Sequence, residues 1–214
     1  MSVLPQVASV KYLLLENVCG FEKSQAREMV VNSLKTAGFE IQEFLVCPRQ
    51  IGIPNSRLRY YLLAKRGEKV EWSFQKSEEI IEKFDVLGEN LTDMNISTVT
   101  PASLSDYLDD DKEMLEEVMV PEKVLAKRSK VLDIVREDGI VSCCFTAGYT
   151  RYCEGIGSVL QARGEMKDMD RVYSKLEVEG VEVLSELNLR YFTPQEVSRL
   201  LGFPDDFSFH RTTG

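Results

Sequence analysis

Residues 10–18, VKYLLLENV, form a nearly continuous apolar run that breaks into polar groups only at Glu16-Asn17. A run of that length suits a strand buried on both faces, with its polar end at the carboxyl edge of a sheet. SQAREMVVNSLKTAGF follows, with Ala26, Met29, Val30, Leu34 and Ala37 at a helical period, Ser24 as N-cap and Gly38 as the stop. FEIQEFLVCP (39–48) alternates like a strand, RQIGIPNS supplies turn formers, and RLRYYLLAKR (57–66) reads as a third strand. Strand, helix, strand, loop, strand is the order of an α/β sheet layered with helices. Ligands gather at the carboxyl ends of strands in such sheets, which is where Glu16 falls. Three strands and one helix do not close a doubly wound sheet, so the sheet expected here is incomplete.

From Gly67 to Glu137 charged and polar residues dominate, with helices expected at 76–84, 102–119 and 121–135. In the last of these Pro121 opens a segment with Val124, Leu125, Leu132 and Val135 at roughly helical spacing. VSCCFT (141–146) reads as a strand and AGYTRYCEGIGS as a glycine- and tyrosine-rich loop. Two helices around a short extended link end the chain. The second starts at Thr193-Pro194, with Glu196 completing a capping signal.

Charge narrows the functional classes. The chain carries 35 acidic and 26 basic side chains, a net charge of −9, which argues against a broad phosphate-gripping surface. The charge is uneven, however. Asp109, Asp110, Asp111, Glu113, Glu116 and Glu117 concentrate the negative, while Lys123, Lys127, Arg128 and Lys130, and separately Arg57, Arg59, Lys65 and Arg66, concentrate the positive. Five cysteines without a Cys-x-x-Cys spacing, and a single histidine at position 210, give no metal site. They suit reduced thiols in an intracellular protein. No apolar run reaches membrane-spanning length, so no membrane partner is expected.

Three blocks carry candidate chemistry. Glu16, at a strand end, can sit in a dry pocket where its proton affinity rises and can then hydrogen-bond a ring nitrogen and exocyclic amine of an extruded base. It can equally cap the next helix or pair with an arginine. Arg57 and Arg59, two apart on a strand, share a face and suit a carboxylate, a phosphate or a pyrimidine carbonyl. Arginines on an edge strand also serve solubility. Cys144 has no histidine nearby in sequence to activate it, so a structural thiol is the stronger reading. Gly148, Gly155 and Gly157 with Tyr149 and Tyr152 suit either a base-stacking loop or a packing element.

In order, ENV, NSRLRY, CFTAGYTRYCEGIGSVLQ and LRYFTPQEVSRLLGFP resemble the cytosine-5 methyltransferases. The closest likeness is to the eukaryotic tRNA-aspartate branch named the second DNA methyltransferase. The likeness runs from about Lys11 to Phe209. It implies the C-terminal part of a class I S-adenosylmethionine-dependent fold, an incomplete Rossmann-like sheet with a smaller target-recognition region. Residues 1–66 would be the second part of the catalytic domain, 67–190 the target-recognition region, and 191–214 a truncated return to the catalytic domain. It further implies methyl transfer from S-adenosylmethionine to C5 of an anticodon-loop cytosine, cytosine-38 of tRNA-Asp, with DNA the lesser candidate and a cytoplasmic and nuclear location. In that chemistry a cysteine adds to C6 of the base. Glu16 would stabilise the protonated ring, and Arg57 and Arg59 would hold the pyrimidine carbonyl. Asn17, Cys144, Phe145 and Thr146 would contact substrate.

The chain departs from the family pattern at both ends. The Phe-x-Gly-x-Gly cofactor loop and the Pro-Cys nucleophile, which in the family precede ENV, do not occur in this sequence, and FSFHRTTG stands where a Gly-Asn-Ser block is expected. A fragment or splice form, inactive alone, is the expectation. The alternative is a non-catalytic RNA-binding or regulatory isoform. Cys19, three residues after Glu16, is the substitute nucleophile to test.

Overall fold

The structure, a computed structural model, describes residues 9–67, 70–74, 76–83, 100–110, 112–152, 156–162, 174–175, 188–204, 206–207 and 209. The chain divides into two compact units, Met1–Gly52 with Arg57–Thr100 and Ile53–Ser56 with Pro101–Gly214. Residues 70–83 pack within the first unit, and the C-terminal helix packs within the second.

The first unit contains β1 (Tyr12–Val18), α1 (Gln25–Thr36), β2 (Glu40–Val46) and β3 (Arg59–Lys65). The sheet order is β1-β3-β2, with β3 antiparallel to both neighbours. α1 starts where Ser24 Oγ accepts from Arg27 N and stops before Gly38, whose φ of +80° lets the chain reverse. Its Val31 and Leu34 pack with Phe39, Ile41, Leu45, Tyr60, Leu62 and Ala64. The expectation that β1 is buried on both faces is corrected. Leu13 and Leu15 turn to this core, while Tyr12, Leu14 and Val18 on the other face are 70%, 67% and 57% exposed. Period-2 alternation at a sheet edge produces that split, and an apolar run alone does not distinguish it from a central strand.

No helix forms over residues 76–83, where one was expected. Leu45 N donates to Ile81 O and Ile81 N to Glu43 O, both at 2.9 Å, so this segment satisfies the open edge of β2. Phe44, Ile81 and Phe74 form a small cluster there. The positive residues at the end of β3 are also committed to structure. Arg66 donates to Ala37 O and Val10 O and lies over the Phe39 ring, and Lys65 donates to Glu71 O.

The second unit contains α2 (Lys112–Glu117), α3 (Glu122–Arg128), β4 (Asp133–Arg136), β5 (Ser158–Gln161), β6 (Leu189–Tyr191) and α4 (Pro194–Leu200). β5 is central, parallel to β4 and antiparallel to β6. The expected helix over 102–119 is a 3-10 turn at Leu104–Tyr107 followed by α2. The run between them is drawn off because Asp109 bonds to Thr193 and Arg199 instead. The helix expected to reach 135 ends at Arg128, and Asp133–Arg136 joins the β5 edge. VSCCFT is not a strand but a loop with one bridge, Cys143 to Ser56. α4 has the expected capping box between Thr193 and Glu196. The other expected C-terminal helix falls largely outside the described residues. The core gathers Val120, Leu125, Leu132, Val159, Leu189 and Tyr191 on one side, and Leu104, Phe145, Leu160, Phe192 and Leu200 on the other.

Among the described residues no helix is long and apolar enough to cross a membrane, and no group of acidic, histidine and cysteine side chains could hold a metal ion. His210 and Cys153 lie outside the described residues.

Candidate functional site

β1 and β3 bring one predicted pair together. Val18 is the ladder partner of Arg59, so Glu16, two residues earlier on the same face, is the diagonal neighbour of Arg59. Arg59 Nε lies 3.2 Å from Glu16 Oε1. Glu16 is not in a dry pocket, as one reading had it. Its side chain is 48% exposed and follows the alternative reading, an ion pair with a nearby arginine. Together the two groups present an acceptor and a guanidinium fork side by side on an open sheet face. That combination can receive an exocyclic amine and donate to a carbonyl. Asn17, on the opposite face, accepts from Val18 N through its own Oδ1.

Arg57 falls outside the ladder, which ends at Arg59. Ser56, just before Arg57, bridges Cys143, and the strand begins two residues after Arg57, so Arg57 stands on the approach to β3 and not in it. Arg59 alone is set by strand geometry.

In the second unit the Cys-Phe-Thr block resolves into three different environments. Phe145 is buried, with edge-on ring contacts to Tyr149 at 5.0 Å and to Phe192 at 5.3 Å. Phe145 therefore packs as part of the core of this unit. Cys144 is half-buried, its Sγ 3.6 Å from Phe145 O, and Thr146 is exposed. Thr146 N donates to Ile156 O at 3.0 Å, closing the loop that contains Tyr149 and Tyr152. Although Cys143 is exposed as a residue, partial desolvation of its thiol and the neighbouring Asp133 push it up to about 11, so it stays protonated near neutrality. Cys19 and Cys143 are exposed thiols.

Gly157 explains why the loop is glycine-rich. Its φ is +140°, and a Cβ there would come within 2.6 Å of Phe145 Cδ1 and 2.9 Å of Tyr149. The packing reading of this loop, rather than the stacking one, fits Gly157 and Tyr149. Tyr149 OH donates to Ser158 O at 2.6 Å and accepts from Phe192 N at 2.9 Å, and burial holds this phenol well above its ordinary range.

Two features escaped the sequence. Asn55, read only as a turn former, is fully buried. Glu196, read only as a cap, also pairs with buried Arg190 at 2.7 Å. Neither buried polar role has a periodic signature. The exposed charges on α3 fit the sequence better. Lys123, Lys127, Arg128 and, just beyond the helix, Lys130 face outward, while Leu125 and Ser129 turn in. Lys123 and Lys127, four apart, share one helical face suited to successive phosphates.

The largest-volume cavity described in the second unit does not fit the methionine carboxylate of S-adenosylmethionine. This cavity, of ≈ 680 Å³, is lined by Asp109, Asp110, Glu116 and Glu137. Its one basic lining residue, Arg190, has both terminal nitrogens engaged by Glu196 and Tyr191 O. The methionine carboxylate would find no partner there, and four acids make the cavity unsuited to phosphate.

A family model described as C-5 cytosine-specific DNA methylase matches residues 7–214. The tRNA (cytosine(38)-C(5))-methyltransferase of Spodoptera frugiperda is 38% identical over 216 residues, covering 97% of this chain and 60% of that protein. The Homo sapiens protein of the same name is 34% identical and covers 98% and 66%. A Dictyostelium discoideum relative, 32% identical over 92% of this chain, is named a DNA (cytosine-5)-methyltransferase. Among solved structures, a Spodoptera frugiperda DNMT2 variant superposes with a TM-score of 0.79 at 36% identity, covering 96% of this chain and 59% of that one. S. pombe Dnmt2 does so with 0.77 at 34% identity, covering 99% and 60%. The chain thus spans about three-fifths of the length of these relatives.

Proposed function

This chain belongs to the C-5 cytosine-specific DNA methylase family, and from that premise we propose that it is the base- and RNA-recognising portion of an S-adenosylmethionine-dependent tRNA (cytosine-5) methyltransferase. Its target is cytosine-38 of an anticodon loop, that of tRNA-Asp. The observation that carries the reading is the Glu16–Arg59 pair, an acid and a guanidinium held side by side by β1 and β3. Arg59 donates to the pyrimidine carbonyl, and Glu16 bonds the ring nitrogen and exocyclic amine, exchanging its present partner for the base. S-adenosylmethionine supplies the methyl group in this family's reaction. The acidic cavity of the second unit does not fit it, and no step of transfer is assigned to the residues there. The protein works in the cytoplasm and nucleus.

The 214 residues contain no Pro-Cys pair, which supports a second reading for the polypeptide as it stands, that it binds tRNA without methylating it. The exposed cations of α3 give that binding its electrostatic component. Anisotropy titrations of tRNA over a range of salt test this. Binding should weaken with salt, and Lys123→Ala with Lys127→Ala should lower the log–log slope by about 2. Arg59→Ala should weaken binding further. Absence of tRNA binding at low salt would overturn both readings, and equal affinity for duplex DNA would overturn the choice of RNA.

A further inference from the structure

The backbone on either side of Cys143 is held by groups from distant parts of the second unit's sequence. Ser142 O accepts from Ser56 N at 2.7 Å. Cys143 N donates to Ser158 Oγ at 2.7 Å, and Ser158 Oγ in turn bonds Asp133 Oδ2. Cys143 O accepts from Asn55 Nδ2 at 3.1 Å, and the same nitrogen reaches Ser142 Oγ at 3.1 Å. Ser142 Oγ closes the circuit by donating to Pro54 O at 2.8 Å.

Cys143 O belongs to the peptide plane that ends at Cys144 N, so Asn55 fixes the plane from which Cys144 emerges. Three residues on, Thr146 N is tied to Ile156 O. The segment is thus pinned on both sides of Cys144, although it forms no regular strand. Asn55 and Ser142 are 0% and 1% exposed. Burying an amide and a hydroxyl brings no net gain over apolar groups of the same shape, so their contribution here is geometric.

We propose that Asn55 is a positioning residue for Cys144, holding the Cys144–Thr146 segment in the orientation in which it meets RNA. The proposal rests on the reading of that segment as RNA-facing. Arg57 follows Asn55 two residues on, so the same clamp anchors the chain just before Arg57 and β3. Asn55→Asp keeps the volume of the side chain but replaces the donating nitrogen with an acceptor that repels Cys143 O.

The experiment is iodoacetamide labelling of the whole chain, read cysteine by cysteine by peptide mass, alongside tRNA titrations. In Asn55→Asp, Cys144 should label roughly tenfold faster, the size of one or two lost hydrogen bonds. Cys19 and Cys47, in the first unit, should keep their rates. Ser142→Ala should behave like Asn55→Asp, and Ser142→Thr, which retains the hydroxyl, should restore the slow rate. On tRNA, the losses from Asn55→Asp and Cys144→Ala should be less than additive. An unchanged Cys144 rate, or equal acceleration of all cysteines through global loosening, would overturn the positioning role. If Cys144 accelerates selectively but tRNA affinity stays put, the clamp stands and the RNA-facing reading falls.

Discussion

Arg27–Glu43 in the first unit and Arg190–Glu196 in the second are the same chemical pair in two settings. Arg27 meets Glu43 at 2.7 and 2.5 Å through two nitrogens, with Tyr60 OH adding a third bond at 2.6 Å, and both side chains keep some contact with water. Arg190 and Glu196 are 2% and 0% exposed. The Glu196 carboxylate also accepts from Asp109 N and Thr193 N, and Thr193 and Arg199 both grip Asp109. The first pair decorates a core already made by aliphatic residues of α1 and the sheet. The second ties β6, α4 and the 104–109 turn to one another.

The largest expected consequence follows directly. Glu196→Ala leaves the Arg190 guanidinium buried and unpaired and should cost about 3–5 kcal/mol. Arg27→Ala, which leaves a part-exposed acid, should cost about 1 kcal/mol. Urea melts followed by circular dichroism compare the two, and equal losses would erase the distinction. Trp72, the one tryptophan, lies in the first unit, so its fluorescence follows the Arg27 variant.

Gly157→Ala sharpens the second unit's side of the contrast. The added methyl meets Phe145 and Tyr149 at 2.6–2.9 Å from a φ of +140°, and overpacking of that kind costs about 1–3 kcal/mol. A melt that matches wild type would show that the two rings shift freely.

The smallest effect belongs to Glu43. Burial raises its pKa, but the Arg27 and Tyr60 hydrogen bonds outweigh burial and leave it below the ordinary glutamate value. A depressed folded pKa contributes stability that is present above the unfolded value of about 4.3 and is lost as pH falls through the folded one. The stability gap between wild type and Glu43→Gln should therefore shrink as pH drops below about 4. A gap constant down to pH 2 would mean that the charge contributes nothing.

The same contrast explains what was legible in the sequence. α1 was readable from Ser24 to Gly38 because a cap, an apolar period and a glycine stop are all local signals. The face of β1 was misread because an edge strand and a central one share the same composition. Residues 76–83 and the end of α3 were misread because β-edge pairing with Phe44 and with β5 overrides local helical spacing. Within the site, the Glu16–Arg59 meeting was one of the readings the sequence allowed. The burial of Phe145 was not legible because it depends on Tyr149 and Phe192, and Asn55 was missed because its partners lie 87 and 88 residues away.

The most direct test incubates the purified 214-residue chain with tRNA and methyl-labelled S-adenosylmethionine. The account predicts salt-sensitive tRNA binding, through a second unit that folds around its buried polar network, and no label in the RNA. Label incorporation that disappears in Cys19→Ala would contradict it, making the exposed thiol beside Glu16 a nucleophile and this chain an enzyme by itself.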